Sequence, residues 1–145
     1  MKIVEIEPKY ADYVKNIIRI RWENEKDEYV HEVDDYLNPK KLSKCFVAVE
    51  NDKSIGMYAF HISNDIGVDL HPWCIGLWVE PDKRGKGIGY KLSLRIFSWA
   101  RMLGYKKIYL DTINAENYHL KFGWKNTGIM GNSHGEKTIV MEYDL

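Results

Sequence analysis

The sequence predicts an α/β domain built on a mixed sheet, and three observations carry that prediction. The β-prone runs Cys45–Glu50 and Ser54–His61 flank Asn51-Asp52-Lys53, the signature of an antiparallel hairpin. A third apolar run, Trp73–Val79, leads through a glycine loop and an amphipathic helix to a further strand, Lys107–Asp111. That order requires one parallel crossover, right-handed by the usual rule. Finally, the chain has 145 residues, is 45% hydrophobic and shows no linker, repeat or low-complexity segment, so residues 1–145 read as one domain.

Each element has a local reason. Lys2 to Glu7 alternates polar and apolar residues as a half-buried strand does. Pro8 suits a first helical turn, where a missing N–H costs nothing. Tyr10, Tyr13, Val14, Ile17, Ile18 and Arg21 then follow helical spacing. A second helix is expected from about Asp27 to Leu37, closed by Asn38-Pro39. After the hairpin, Ser63-Asn64-Asp65 reads as another turn, and Glu80-Pro81 stops the third strand. From about Gly87 to Leu103 the helical seam is Ile88, Leu92, Ile96, Trp99, Ala100 and Leu103, with Gly104 in the favoured position past a helix end. A short helix is expected around Glu116–Lys121. Phe122-Gly123-Trp124 opens a last hairpin that closes with Thr138–Tyr143.

The bulk properties exclude several function classes. Lys+Arg and Asp+Glu both total 21, so a formally neutral chain offers no global attraction for nucleic acid. Cys45 and Cys74 form no metal or disulfide spacing and read as buried thiols of a reduced compartment. The start lacks a signal-peptide apolar stretch, and no run approaches a membrane span. The expectation is a soluble cytoplasmic protein, monomer or homodimer, without membrane or nucleic-acid partner. His31 and Asp35, four apart on the second helix, have no third ligand in view, so no metal is expected.

Arg84-Gly85-Lys86-Gly87-Ile88-Gly89 packs three glycines and two cations into six residues at a strand-to-helix junction. A P-loop fails, because Gly87 follows Lys86 where Ser or Thr is needed. A dinucleotide fingerprint fits poorly: Tyr90 holds the place of the last glycine, and Glu80–Arg84 separate strand from glycines. Asp111, about twenty residues on, keeps that reading open. A phosphate cradle needs glycines for close backbone approach and successive N–H groups entering a helix, both supplied here. Lys83, Arg84, Lys86 and Lys91 add positive potential.

Arg84-x-x-Gly87-x-Gly89 matches the R/Q-x-x-G-x-G/A signature of the GNAT superfamily of acetyl-CoA-dependent acyltransferases. The chain resembles that family beyond the loop. PWCIGLWVEPDKRGKGIGYKL is similar to its fourth strand, pyrophosphate loop and third helix. CFVAVENDKSIGMYAF is similar to its second and third strands, YLDT and KFGWKNTG to its fifth strand and following segment, and HGEKTIVMEYDL to its closing strand. The resemblance spans about Lys2 to Leu145 and is weakest over the first two helices. It implies a mostly antiparallel sheet with a V-shaped split between strands 4 and 5, flanked by helices on both faces. It also implies acetyl-CoA as cosubstrate and a small-molecule or peptide amine as acceptor.

By that resemblance, the backbone of Leu77, Trp78 and Val79 pairs with the pantetheine arm, and the Val79 N–H serves as an oxyanion donor. The amides of Gly85, Lys86, Gly87, Ile88, Gly89 and Tyr90, with Arg84, hold the pyrophosphate. The family often uses a Tyr four residues before the Gly of its Y-x-x-x-G-[FW] segment to protonate the leaving thiolate. Here His119 stands there, with Tyr118 beside it; the candidates are His119 as donor, Tyr118 as donor, or neither, with both as bystanders. Glu80, Asp111, Asp69 and His71 lie near the gap, but no base carries over. Glu23, Glu25, Asp27, Glu28, Glu32, Asp34 and Asp35 crowd the acceptor region against Lys26 alone, which suits a cationic amine: a polyamine, an amino sugar or a lysine-bearing peptide. Trp22, Trp73, Trp78 and Tyr29 are candidate apolar walls. The competing classes are a catalytically silent acyl-CoA-binding module and a nucleotide-binding α/β protein.

Overall fold

A computed structural model describes residues 1–21 and 29–145. The strands are β1 (Lys2–Glu5), β2 (Lys44–Glu50), β3 (Lys53–His61), β4 (Trp73–Val79), β5 (Lys107–Thr112), β6 (Lys125–Ser133) and β7 (Glu136–Asp144). The helices are α1 (Ala11–Arg21), α2 (Glu32–Leu37), α3 (Ile88–Met102) and α4 (Glu116–Leu120), with single 3-10 turns at Pro8–Tyr10 and Pro81–Lys83. The sheet runs β1-β2-β3-β4-β5-β7-β6, antiparallel at every neighbour except the parallel pair β4–β5. This mixed sheet is not the mostly parallel, doubly wound sheet in which the dinucleotide fingerprint operates.

Both faces of the sheet are covered, which explains why β2 reads as an unbroken apolar run. Phe46 and Ala48 point into a core with Leu92, Ile96 and Ile108 under α3. Their neighbours Cys45, Val47 and Val49 point to the other face, against Val14, Ile17 and Ile18 of α1 and Val33 and Tyr36 of α2. Cys45 and Cys74 are buried free thiols, as the sequence suggested, and burial pushes both well above the ordinary thiol range.

Local chemistry sets the boundaries. Asn51 and Asp52 both take left-handed φ (51° and 61°), the two-residue turn whose twist matches the flanking strands. α3 ends in a Schellman motif: Gly104 has φ 92°, its N–H bonds Arg101 O at 2.9 Å, and Tyr105 N–H bonds Ala100 O at 3.1 Å. Phe97 lies outside the expected seam yet is 1% exposed, because its ring stacks on Tyr143 of β7 at 4.3 Å.

Four expectations need correction. Pro8 opens a 3-10 turn, and the α-helix starts at Ala11. Strand geometry ends at Glu5, two residues early, as the chain bends toward Pro8. Ser63-Asn64-Asp65 forms no regular turn; it belongs to an irregular segment in which the Asn64 side chain bonds Asp111. The expected start of the second helix at Asp27 lies outside the described residues, as do Trp22, Glu23, Glu25, Lys26 and Glu28, but Tyr29, Val30 and His31 form a turn, and the helix begins only at Glu32. Among the described residues, no helix is long and apolar enough to cross a membrane.

Candidate active site

The sheet is split where the family resemblance expects it. β4 and β5 register only at Trp73↔Tyr109, where Tyr109 N–H bonds Pro72 O at 3.0 Å. Beyond that point β5 stays with β7 and β4 with β3, so the two strands part. Within β4 the register to β3 slips between Ile75↔Ala59 and Trp78↔Met57, leaving Gly76 and Leu77 opposite Tyr58. This is a bulge, and Gly76 accommodates it at φ 76°. Past the bulge, Val79 faces Gly56 while Glu80 N–H bonds Ile55 O at 2.9 Å. Val79 therefore occupies a non-hydrogen-bonded position of the β3 ladder, and its own N–H turns to the split side. Gly56 is needed there, since a Cβ would meet Trp78 O at 2.9 Å.

The glycine loop follows. Gly85 and Gly87 have φ of 77° and 80°, and nothing lies within 4 Å of where their Cβ atoms would stand. The first helical bond of α3 runs from Lys91 N–H to Gly87 O, so the amides of Ile88, Gly89 and Tyr90 have no helical acceptor. These donors, the helix dipole and the exposed Lys86 form a cradle suited to a pyrophosphate. The four expected cations do not act alike. Lys83 bonds Glu50 at 2.8 Å, and Arg84 Nε bonds Val79 O at 2.8 Å with its guanidinium over Trp78. Arg84 thus straps the loop to the end of β4.

α4 closes one wall. Tyr118, 40% exposed, lays its hydroxyl on the first turn of α3, where a Cβ on Gly89 would lie 2.6 Å from Oη and 3.5 Å from Leu77. Burial raises the Tyr118 pKa. His119 points inward, 8% exposed, with Tyr118 and Trp124 edge-on at 5.1 and 6.1 Å. Burial pushes its pKa down to about 4, so the imidazole is neutral at pH 7. Tyr90 leans away from the cradle and stacks on Phe122 at 5.4 Å.

The cleft between these walls measures about 1560 Å³. Its far side holds groups that sequence reasoning did not bring together. Arg21, at the end of α1, donates to Leu77 O in the bulge. Tyr29 Oη bonds Asp65 at 3.0 Å, and His134 at the β6–β7 tip lies 3.4 Å from the same hydroxyl. Asn64 Nδ2 bonds Asp111 Oδ1 at 3.0 Å, and burial raises the Asp111 pKa. His61 is half-buried beside Tyr36, and desolvation takes its pKa down to about 4. Of the acidic stretch, Glu32 lines the cleft while Asp34 and Asp35 do not. Trp78 and Tyr29 line the cleft; Trp73 is fully buried beneath it. Glu80 accepts from Trp78 Nε1 at 2.9 Å, and Asp69 and His71 pair with each other away from the cleft. Among the described residues, no group of three His, Cys, Asp or Glu is placed to hold a metal. A histidine at the end of β3, more than twenty residues before the glycine motif, carries no local signal, which is why His61 escaped the sequence.

Comparison with known proteins agrees with this geometry. The model of the GNAT acetyltransferase family matches residues 12–124. An aminoglycoside 6'-N-acetyltransferase complexed with coenzyme A superposes with TM-score 0.80 at 21% identity, covering 99% of this chain and 97% of that one. The aminoglycoside 6'-N-acetyltransferase from Enterococcus faecium gives 0.77 at 21%, with the same coverage. A ribosomal-protein-alanine N-acetyltransferase from Brucella melitensis gives 0.77 at 16%, covering both chains completely. At these identities the structures attest the fold alone. No curated protein matches the chain at a significant level. The family match spans the split sheet, the glycine loop and the α4 wall in one continuous stretch, and on that ground the chain belongs to the GNAT acetyltransferase family.

Proposed function

We propose that this chain is an N-acetyltransferase that moves the acetyl group of acetyl-CoA to an amine by direct attack in a ternary complex. The observation that carries the reading is the gap between β4 and β5, which leads to the open amides of the glycine loop. Acetyl-CoA supplies a thioester whose carbonyl carbon accepts an amine. In this reading the amides from Gly85 to Tyr90 hold the pyrophosphate, with Lys86 and Lys91 adding charge. The backbone of Leu77–Val79 receives the pantetheine arm, which requires Arg21 to release Leu77 O. The Val79 N–H faces the carbonyl oxygen and stabilises the charge that develops there.

Tyr118 is assigned as proton donor. A new N–C bond forms, the C–S bond breaks, and the departing sulfur takes the phenolic proton, which solvent restores; the amine's proton leaves to solvent. Tyr118 keeps its proton at neutral pH and sits on the cleft wall beside Leu77. His119 is neutral and packed against Trp124, which suits a residue that positions its neighbour.

The test is release of free CoA from acetyl-CoA with a panel of amines, alongside thermal melting with CoA or NAD. Ligand at 100 times its Kd adds about 2.7 kcal/mol, which for a chain this size is about 9 °C. Turnover together with stabilisation by CoA supports the reading. Stabilisation without turnover of any amine points instead to a silent acyl-CoA-binding module. Stabilisation by NAD but not CoA defeats both.

A further inference from the structure

The proposed chemistry leaves two partly buried carboxylates of the cleft unused, Glu32 and Asp111, and Asp111 already accepts from Asn64. Glu32 on α2 has a side chain 26% exposed. Its Oε2 accepts from Tyr36 Oη at 3.4 Å and lies 3.7 Å from His61 Nε2, while Tyr36 Oη and His61 Nε2 are 2.6 Å apart with their rings edge to face. The charged and titratable groups around it are His31 just before its helix, Asp35 and Tyr36 on that helix, His61 on β3, and Asp65 on the segment after β3. Burial disfavours its charge most, the Tyr36 hydroxyl and His31 oppose that only in part, Asp65 and Asp35 repel it further, and the neutral His61 does not offset it. Among the described residues, no lysine or arginine lies within salt-bridge distance of Glu32, nor of Asp65 or Asp111 on the same cleft. A partly buried carboxylate so placed, with no lysine or arginine paired to it among the described residues, favours a cation supplied from outside.

Its distance from the chemistry decides which cation. His61 registers with Trp73, the first residue of β4, and Val79 is the last. Along β3, which carries no extra residue here, His61 and the Val79 partner Gly56 are five steps of about 3.3 Å apart, so the two ends lie about 17 Å from each other. Glu32 is therefore too remote to serve as base for an amine near the Val79 N–H. We propose that Glu32 anchors a second ammonium group of the acceptor, roughly 10–20 Å from the amine that is acetylated, with Tyr36 and His61 as positioning residues. The substrate class is an extended dication or polycation. This rests on the transferase reading.

The test compares propylamine, 1,3-diaminopropane, spermine and an amino sugar bearing amines on separate rings, with the full chain and its Glu32→Gln and Glu32→Asp variants. A long dication should exceed propylamine at least 10-fold in kcat/KM, and 1,3-diaminopropane should behave as a monoamine. Glu32→Gln should erase that ratio through a rise of about 10- to 100-fold in KM for the long acceptor, with KM for acetyl-CoA unmoved. Glu32→Asp should restore part of it. Whichever of spermine and the amino sugar gains more from Glu32 identifies the source of the ammonium. As a readout free of turnover, spermine should shift the His61 ring resonances in the unsubstituted chain and not in Glu32→Gln. If Glu32→Gln leaves the ratio intact, or propylamine matches the long dications, the anchor is wrong. If no amine is acetylated but the His61 response holds, the transferase reading fails and the anchor stands.

Discussion

Replacing Gly89 by alanine separates the catalytic reading of Tyr118 from a purely structural one. The new Cβ would stand 2.6 Å from Tyr118 Oη and at ordinary contact, 3.5 Å, from Leu77. The obstructing atom is the tip of a rotatable, 40% exposed side chain, so the ring can swing away without moving backbone. Overpacking of this kind costs about 1–3 kcal/mol, at the low end where the neighbour can yield. Alanine in place of glycine inside a helix returns about 1 kcal/mol. The net is within about 2 kcal/mol of zero, or about 6 °C in Tm for a domain of this size. Activity should respond far more strongly, because the hydroxyl no longer rests on the turn beside Leu77. If Tyr118 is the proton donor, Tyr118→Phe should lower kcat by about 10²–10⁴-fold, and Gly89→Ala should lose at least about 10-fold through misplacement of the same group. The double variant should be no slower than Tyr118→Phe alone, since both changes act through one hydroxyl. The assay is CoA release at saturating acetyl-CoA, with Tm measured on the same samples. A Gly89→Ala protein that melts normally and retains full kcat would refute the placement of Tyr118, and full activity in Tyr118→Phe would refute its role.

Gly87→Val should weaken CoA binding at least 10-fold while the fold persists: φ 80° is strained for a β-branched residue, but the position faces open space on a surface loop; isothermal titration checks it. His119 and His61 are both depressed to about 4 from an ordinary 6.5, so each binds its proton in the unfolded chain before the folded one. Their stability contribution is present above pH 6.5 and falls away as pH drops toward 4, by about 3 kcal/mol for each. His119→Phe should remove about half of that acid slope in denaturant titrations between pH 4 and 7, the rest staying with His61. Phe97→Ala should cost about 3–5 kcal/mol, because the ring is 1% exposed and stacked on Tyr143; urea unfolding measures it.

The parts legible in the sequence are those set by neighbours along the chain. The β4 span Trp73–Val79, the Asn51-Asp52 turn, the Gly104 helix stop and the left-handed glycines of the loop follow from apolar runs, turn residues and the steric freedom of glycine. The apolar run of β2 reads as a strand, and only the structure reveals that both its faces are covered and sort its residues between two cores. What required tertiary structure is every property set by groups distant in sequence. His119 and Tyr118 are adjacent in the chain, yet one is turned inward and held neutral while the other rests on the first turn of α3. Arg84 looks like a phosphate cation in sequence, and the end of β4 supplies the carbonyl and indole that claim it. Glu32, His61, Asp65 and Asp111 lie on a helix, two strands and a connecting segment, and only the packing of α2 against the split sheet sets them on one cleft. Local conformation depends on the residue and its neighbours in the chain, whereas burial, charge balance and shared cavities depend on what the fold brings within a few ångströms.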